Sequence, residues 1–110
     1  VPTHAAFGYL ATRYGLEQHA MSGLSPEAEV PPGDLARLVN ELRALGVRHV
    51  LVEPNISTRQ AETLAREIDA TVLPLHPLES LTSGEIERGE DYFSIMRSNL
   101  ESLRTALDCQ

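Results

Sequence analysis

Four histidines, one cysteine and a scatter of carboxylates are the groups in this 110-residue chain that could hold a metal or move a proton. Two of the histidines stand out by position. His4 follows a short extended stub, Val1-Pro2-Thr3, and opens an amphipathic run from Ala5 to Tyr14. His76 closes an apolar stretch in Leu73-Pro74-Leu75-His76-Pro77-Leu78. A carboxylate, Glu53, closes a third in Val50-Leu51-Val52-Glu53-Pro54. Glu53 and His76 both precede proline, and a residue before proline is pushed out of helical space toward extended geometry. Each side chain is therefore expected at a strand terminus. If the three apolar stretches are parallel strands, all three groups lie at the carboxyl edge of one sheet, where an α/β domain keeps its ligand site. Neutral imidazole and carboxylate are natural ligands for zinc or manganese. Glu53 has three roles open to it: ligand, carboxylate orienting a ligand histidine from behind, or charge at a helix N-terminus. The last two suit it better.

Other chemistry finds little support. His49 sits near the start of its strand and His19 in a polar stretch, so both read as structural. Cys109 is the single cysteine and makes neither an internal disulfide nor a thiolate zinc cage. Gly-rich phosphate loops and a Gly-x-Ser-x-Gly elbow are missing. Glu85, Glu87, Glu90 and Asp91 cluster around Gly84 and Gly89, but their spacing does not match a calcium loop, and a solvated loop is expected. Sixteen acidic against nine basic residues give a net charge of -7. With no basic stripe, nucleic acid is not an expected partner.

The elements that must position these groups are legible from periodicity. Phe7, Leu10, Ala11 and Tyr14 share a helical face that Gly15 terminates. Glu17 to Leu24 is weakly extended, and a Pro-rich loop spans Ser25 to Pro32. A helix then carries Leu35, Leu38, Val39, Leu42 and Leu45 to a stop at Gly46. Val47 to Glu53 reads as a strand covered on both faces. Ser57 caps a helix reaching Ile68, and Ala70 to Leu75 forms a second buried strand. Thr82 to Gly89 reads as a polar loop. A last helix runs from Asp91 to Leu107 with Phe93, Met96, Leu100, Leu103 and Leu107 as its stripe. Such alternation predicts an α/β fold: a three-layer lobe with a roughly four-stranded parallel sheet flanked by helices, in one domain over residues 1–110. No run reaches the roughly 20 apolar residues of a membrane span.

Several of these stretches, in this order, resemble one family. His4-Ala5-Ala6-Phe7-Gly8-Tyr9, followed by Arg13-Tyr14-Gly15-Leu16, is similar to a signature of the metal-specific solute-binding proteins of ABC transporters, the zinc and manganese receptors of cluster A-I. The likeness continues through Gly23-Leu24-Ser25-Pro26-Glu27, Val50-Leu51-Val52-Glu53-Pro54 and Leu75-His76-Pro77-Leu78. It closes on Tyr92-Phe93-Ser94-Ile95-Met96-Arg97-Ser98-Asn99.

The resemblance implies two α/β lobes joined by a long helix, with the metal between them, and this chain matches the C-terminal lobe. It implies that His4 is a protein ligand. It also implies that His76 occupies a ligand position where the family usually carries Asp. An imidazole there favours zinc over manganese. Ala5 departs from the Asp that usually follows the histidine. The implied partners are the N-terminal lobe, a membrane permease and, for an isolated lobe with an unpaired sheet edge, a second copy. The implied location is extracytoplasmic, in a periplasm or anchored at a cell surface. The start at Val1, without an initiator Met, is expected of a processed or excised piece. Two other readings stand beside this one: a small metal-dependent hydrolase whose water Glu53 activates, and an adhesin or interaction domain.

Overall fold

Two parallel strands, β1 (His49–Val52) and β2 (Thr71–Pro74), lie at the centre of the lobe. Around them run α1 (Gly8–Tyr14), α2 (Pro32–Ala44), α3 (Arg59–Glu67), α4 (Ser83–Glu87) and α5 (Tyr92–Ala106). The computed structural model describes every residue except Pro26, Glu27, Asn55 and Gln110, so the Pro26-Glu27 part of the sequence signature lies outside the described residues. None of the described helices is long and apolar enough to cross a membrane.

The α/β alternation is present, but the sheet is more modest than four strands. His49 faces Thr71 and the register runs to Val52 opposite Pro74. The N-terminal stub joins the other side of β1 through one parallel bridge, Pro2 to Leu51, where the Leu51 N–H donates to the Val1 carbonyl at 2.7 Å. Met21 and Ser22 donate in turn to the carbonyls of Pro2 and Thr3, each at 3.0 Å. The order across the sheet is thus residues 21–22, stub, β1, β2.

One face of the sheet is sealed. Val39 and Leu42 of α2 and Ala61, Leu64 and Ala65 of α3 pack with Val50, Met21, Val30 and Ile68 into the core cluster. Leu42, Leu64 and Val50 are completely buried, each contributing about 1.5–3 kcal/mol of transfer free energy. The opposite face is covered by α1 and α5 and keeps an apolar groove of about 520 Å³, lined by Phe7, Leu10, Tyr14, Leu75, Met96 and Leu103 among others.

Four expectations change here. The first helix starts at Gly8, not Ala5, because the backbone before it is committed elsewhere: Ala5 N–H donates to Gly23 and Phe7 N–H to the Gln18 side chain. β2 is an edge strand, half-exposed where full burial was expected. The Thr82–Gly89 segment is not a loop but contains α4, started by the Thr82 hydroxyl accepting from the Glu85 N–H at 3.1 Å. In α5 the buried residues are Ile95, Asn99 and Ser102, while Phe93, Leu100 and Leu107 of the expected stripe are exposed. Asn99 is drawn inward by a backbone it satisfies, and the helix is rotated so that Leu100 and Leu107 line the groove.

Candidate metal centre

His4 stands immediately after the stub, where the chain leaves the sheet. The Ala5 N–H bond to the Gly23 carbonyl (2.8 Å) and the Thr3–Ser22 pairing hold the backbone on both sides of it. Its imidazole is 1% exposed. Nδ1 lies against Glu53 Oε1, and Glu53 also accepts from the Thr3 hydroxyl at 3.3 Å. Glu53 is itself buried at the end of β1. Burial holds its carboxyl above the usual glutamate range, against the opposing pull of the neighbouring His4 and the Thr3 hydroxyl. Nδ1 makes no well-directed hydrogen bond; the contact with Glu53 turns this nitrogen into the lobe and leaves Nε2 on the side of Glu79.

The other ring nitrogen, Nε2, lies on the side of Glu79. His4 lines an open pocket of about 470 Å³ with Ala5, Ala6, Gly8, Tyr9, Thr12, Leu24 and Glu79. Glu79 Oε1 stands 3.8 Å from His4 Nε2 on an otherwise exposed side chain. Tyr9 and Leu24, 96% and 83% exposed, form an apolar rim around this pair.

His76 is placed differently. It follows β2 and is buried, as the sequence led us to expect of a strand terminus. Its Nδ1 accepts the Leu78 N–H at 2.8 Å. Nε2 therefore carries the proton and donates it to Glu85 Oε2 at 2.9 Å. Asn99 of α5 brackets the His76 backbone, its Oδ1 accepting from the N–H and its Nδ2 donating to the carbonyl, both at 2.8 Å. Burial works against charge on Glu85, yet the hydrogen bonds from His76 and Thr82 outweigh it and hold the carboxyl below the usual range. Both ring nitrogens of His76 are spoken for.

The two histidines, expected to share one site, line different pockets. His76 opens onto a cleft with Pro54, Pro74, Glu85, Glu90 and Ser94, and no lining residue is common to it and the His4 pocket. The groups that do converge are His4, Glu53 and Glu79. Sequence reading missed Glu79, Glu85 and Asn99. A signal existed for Glu85: Thr82-Ser83-Gly84-Glu85 carries the Thr-x-x-Glu spacing that starts a helix, and Gly84 obscured it. The acidic cluster is accordingly no uniform solvated loop, since Glu85 is buried while Glu87 and Asp91 are exposed. His19 pairs with Glu41 (2.8 Å) and Glu17 (3.3 Å) near the surface, away from either pocket. Among the described residues no three His, Cys, Asp or Glu side chains form a group able to hold a metal. What the described residues bring together is one imidazole nitrogen with a carboxylate beside it, short of the four ligands that zinc takes.

Known proteins resemble the chain over nearly its whole length. Residues 1–106 match the model of the family described as zinc-uptake complex component A, periplasmic (ZnuA). The chain is 43% identical over 108 residues to the zinc-binding protein AdcA of Streptococcus pyogenes, covering 98% of this chain and 21% of that protein. It is 39% identical to the high-affinity zinc uptake system protein ZnuA of Bacillus subtilis, covering 97% and 34%. Among solved structures, the Zn(II)-bound ZnuA-like domain of Streptococcus pneumoniae AdcA superposes with a TM-score of 0.77 at 42% identity, over 97% of this chain and 40% of that one. The laminin-binding protein Lbp of Streptococcus pyogenes does so with a TM-score of 0.83 at 36% identity, over 96% and 40%. The chain thus spans well under half the length of each.

Proposed function

The chain belongs to the family of zinc-uptake complex component A, ZnuA, and on that premise we propose that it is the C-terminal lobe of a two-lobe extracytoplasmic zinc receptor. It supplies part of a metal site and delivers zinc to the permease of an ABC transporter; it catalyses no reaction. Zinc is cargo, held between this lobe and an N-terminal one. The observation that carries this reading is the His4 imidazole, buried to its edge, with Nδ1 backed by Glu53 and Nε2 turned to the open pocket beside Glu79.

The chemistry follows from that arrangement. Glu53 fixes the tautomer and the ring plane of His4 and raises the basicity of the free nitrogen, as carboxylates behind ligand histidines do. Glu79, on an exposed side chain 3.8 Å away, is free to swing onto an ion bound at Nε2. We assign these two, His4 and Glu79, as this lobe's ligands. In this reading His76, expected from sequence to be the second ligand, is not one, since its ring nitrogens are engaged by the Leu78 N–H and Glu85. A nitrogen donor at the first position suits zinc; manganese prefers carboxylate-rich sites. The zinc-binding names of AdcA and ZnuA support the same cargo.

Two surface features support a lobe built to be covered. Tyr9 and Leu24 rim the His4 pocket, where a facing lobe closes in this proposal. The groove between α1 and α5 leaves Tyr14, Leu100 and Leu107 exposed, and an isolated lobe is expected to self-associate there. The hydrolase reading loses its base, since Glu53 is turned to His4 and Thr3 inside the lobe. The test is a zinc competition titration on the full-length receptor, in which His4→Ala sharply lowers affinity. Unchanged affinity sinks the assignment, and running manganese beside zinc decides the cargo.

A further inference from the structure

The pairing of His76 with Leu78 has a consequence for the carboxylate three residues downstream of the histidine. Leu78 sits at φ +62°, one of three described non-glycine residues with positive φ. A leucine adopts that left-handed geometry only where its surroundings impose it. Here the His76 Nδ1 accepts the Leu78 N–H at 2.8 Å. This is an i to i+2 bond from a side chain to the backbone, the bond an Asn or Asp oxygen makes in an Asx-turn, with an imidazole nitrogen in the oxygen's place. Pro77 between them fixes its own φ. The next residue after the turn is Glu79, and the turn delivers its carboxylate to within 3.8 Å of His4 Nε2.

The acceptor is itself held on every side. Glu85 accepts the hydrogen bond from Nε2–H, which keeps the lone pair on Nδ1, where the turn needs it. Asn99 clamps the His76 backbone to α5 from both its N–H and its carbonyl. The Thr82 cap places Glu85 at the start of α4. Three buried polar side chains, His76, Glu85 and Asn99, are thus linked at the start of the turn.

We propose that His76 is a positioning residue for zinc capture: as the Nδ1 acceptor of the Leu78 turn, it presents Glu79 to the metal held at His4. The proposal rests on the assignment of Glu79 as a ligand. It predicts that Asn, whose oxygen makes the same i to i+2 bond, can replace His76 in zinc binding, whereas Leu, which has no acceptor, cannot.

The experiment is a double-mutant cycle on the full-length receptor, read as zinc affinity by competition with a chromophoric chelator, with thermal stability measured alongside. His76→Leu is expected to lower affinity about tenfold, the scale seen when a group that orients a ligand is removed. In a Glu79→Gln background the same change should lower it no further, because the residue it positions is already gone. His76→Asn should keep affinity within about threefold of the original, well inside the loss expected for an orienting group, even though the buried Glu85 loses its donor and stability falls. Equal losses from His76→Leu in both backgrounds, or no loss at all, overturn the proposal. So does a His76→Asn variant as weak as Glu79→Gln, since that would mean the imidazole itself is required. Should His76→Leu not fold, the His76→Asn arm decides alone. If Glu79→Gln by itself leaves affinity unchanged, the ligand assignment fails and the positioning role falls with it.

Discussion

His4 and His76 are both buried, both follow the central sheet, and both face a buried glutamate, yet the two glutamates meet opposite nitrogens. Glu53 sits on Nδ1 of His4 and frees Nε2 toward an open pocket. Glu85 sits on Nε2 of His76, and the remaining nitrogen is consumed by the Leu78 backbone. The glutamates differ as well. Burial pushes the Glu53 carboxyl up, while bonds from His76 and Thr82 pull Glu85 down despite its burial. Whether a histidine at a strand end can offer a nitrogen thus depends on which of the two its neighbours leave unpaired.

The largest effect should come from removing the free nitrogen. Zinc sites of four ligands contribute roughly 10–16 kcal/mol, about 3 kcal/mol per ligand, so His4→Ala is expected to cost about a hundredfold or more in zinc affinity. Glu53→Gln keeps the shape but loses the charge behind the imidazole, and about a tenfold loss is expected. Both are read by chelator competition on the full-length receptor. If Glu85→Gln lowered affinity as much as Glu53→Gln, the contrast between the two pairs would collapse.

Smaller effects separate the pairs by sign. The ordinary glutamate value is 4.5. Glu53, raised above it on folding, adds stability that is full below 4.5 and fades as pH rises through the raised value. Glu85, lowered, adds stability that is present above 4.5 and is lost as pH falls through the lowered value. Denaturant unfolding across a pH series should therefore show Glu85→Gln with a shallower loss of stability on the acid side. Glu53→Gln should show a shallower loss on the side above 4.5. Matching slopes for the two variants would break the comparison.

The smallest expected change in zinc binding is from Leu42→Ala. This completely buried core residue lies on the sealed side of the sheet, and its loss should cost about 2–5 kcal/mol of stability while affinity holds.

Much of this was legible in the sequence because it depends on local pattern. Pro32 and Gly46 bound α2, the Asp91–Ser94 box starts α5, and the Val-Leu run at residues 50–52 is the strand at the sheet's centre. The positions of His4 after the stub and of Glu53 at the end of β1 were legible too. The rest depends on contacts between segments distant in sequence. Nothing local to Leu73–Leu78 tells which nitrogen of His76 is engaged; that is set by Glu85, nine residues on, and by a turn closed on the histidine itself. The buried face of α5 was misjudged because hydrophobicity alone ranks Leu100 above Asn99, whereas the carbonyl and N–H of His76 require a polar partner inside. Glu79, exposed and three residues past the histidine, offers no pattern; its proximity to His4 is visible only in three dimensions.

The central claim is that His4 Nε2 binds the zinc and His76 does not. Nitrogen-15 spectra of the histidine rings in the full-length receptor, recorded before and after one equivalent of zinc, test it directly. The account predicts that the His4 Nε2 resonance moves on loading, while His76 keeps the Nε2-protonated pattern throughout. A zinc-dependent shift at either His76 nitrogen, with His4 unmoved, would contradict it.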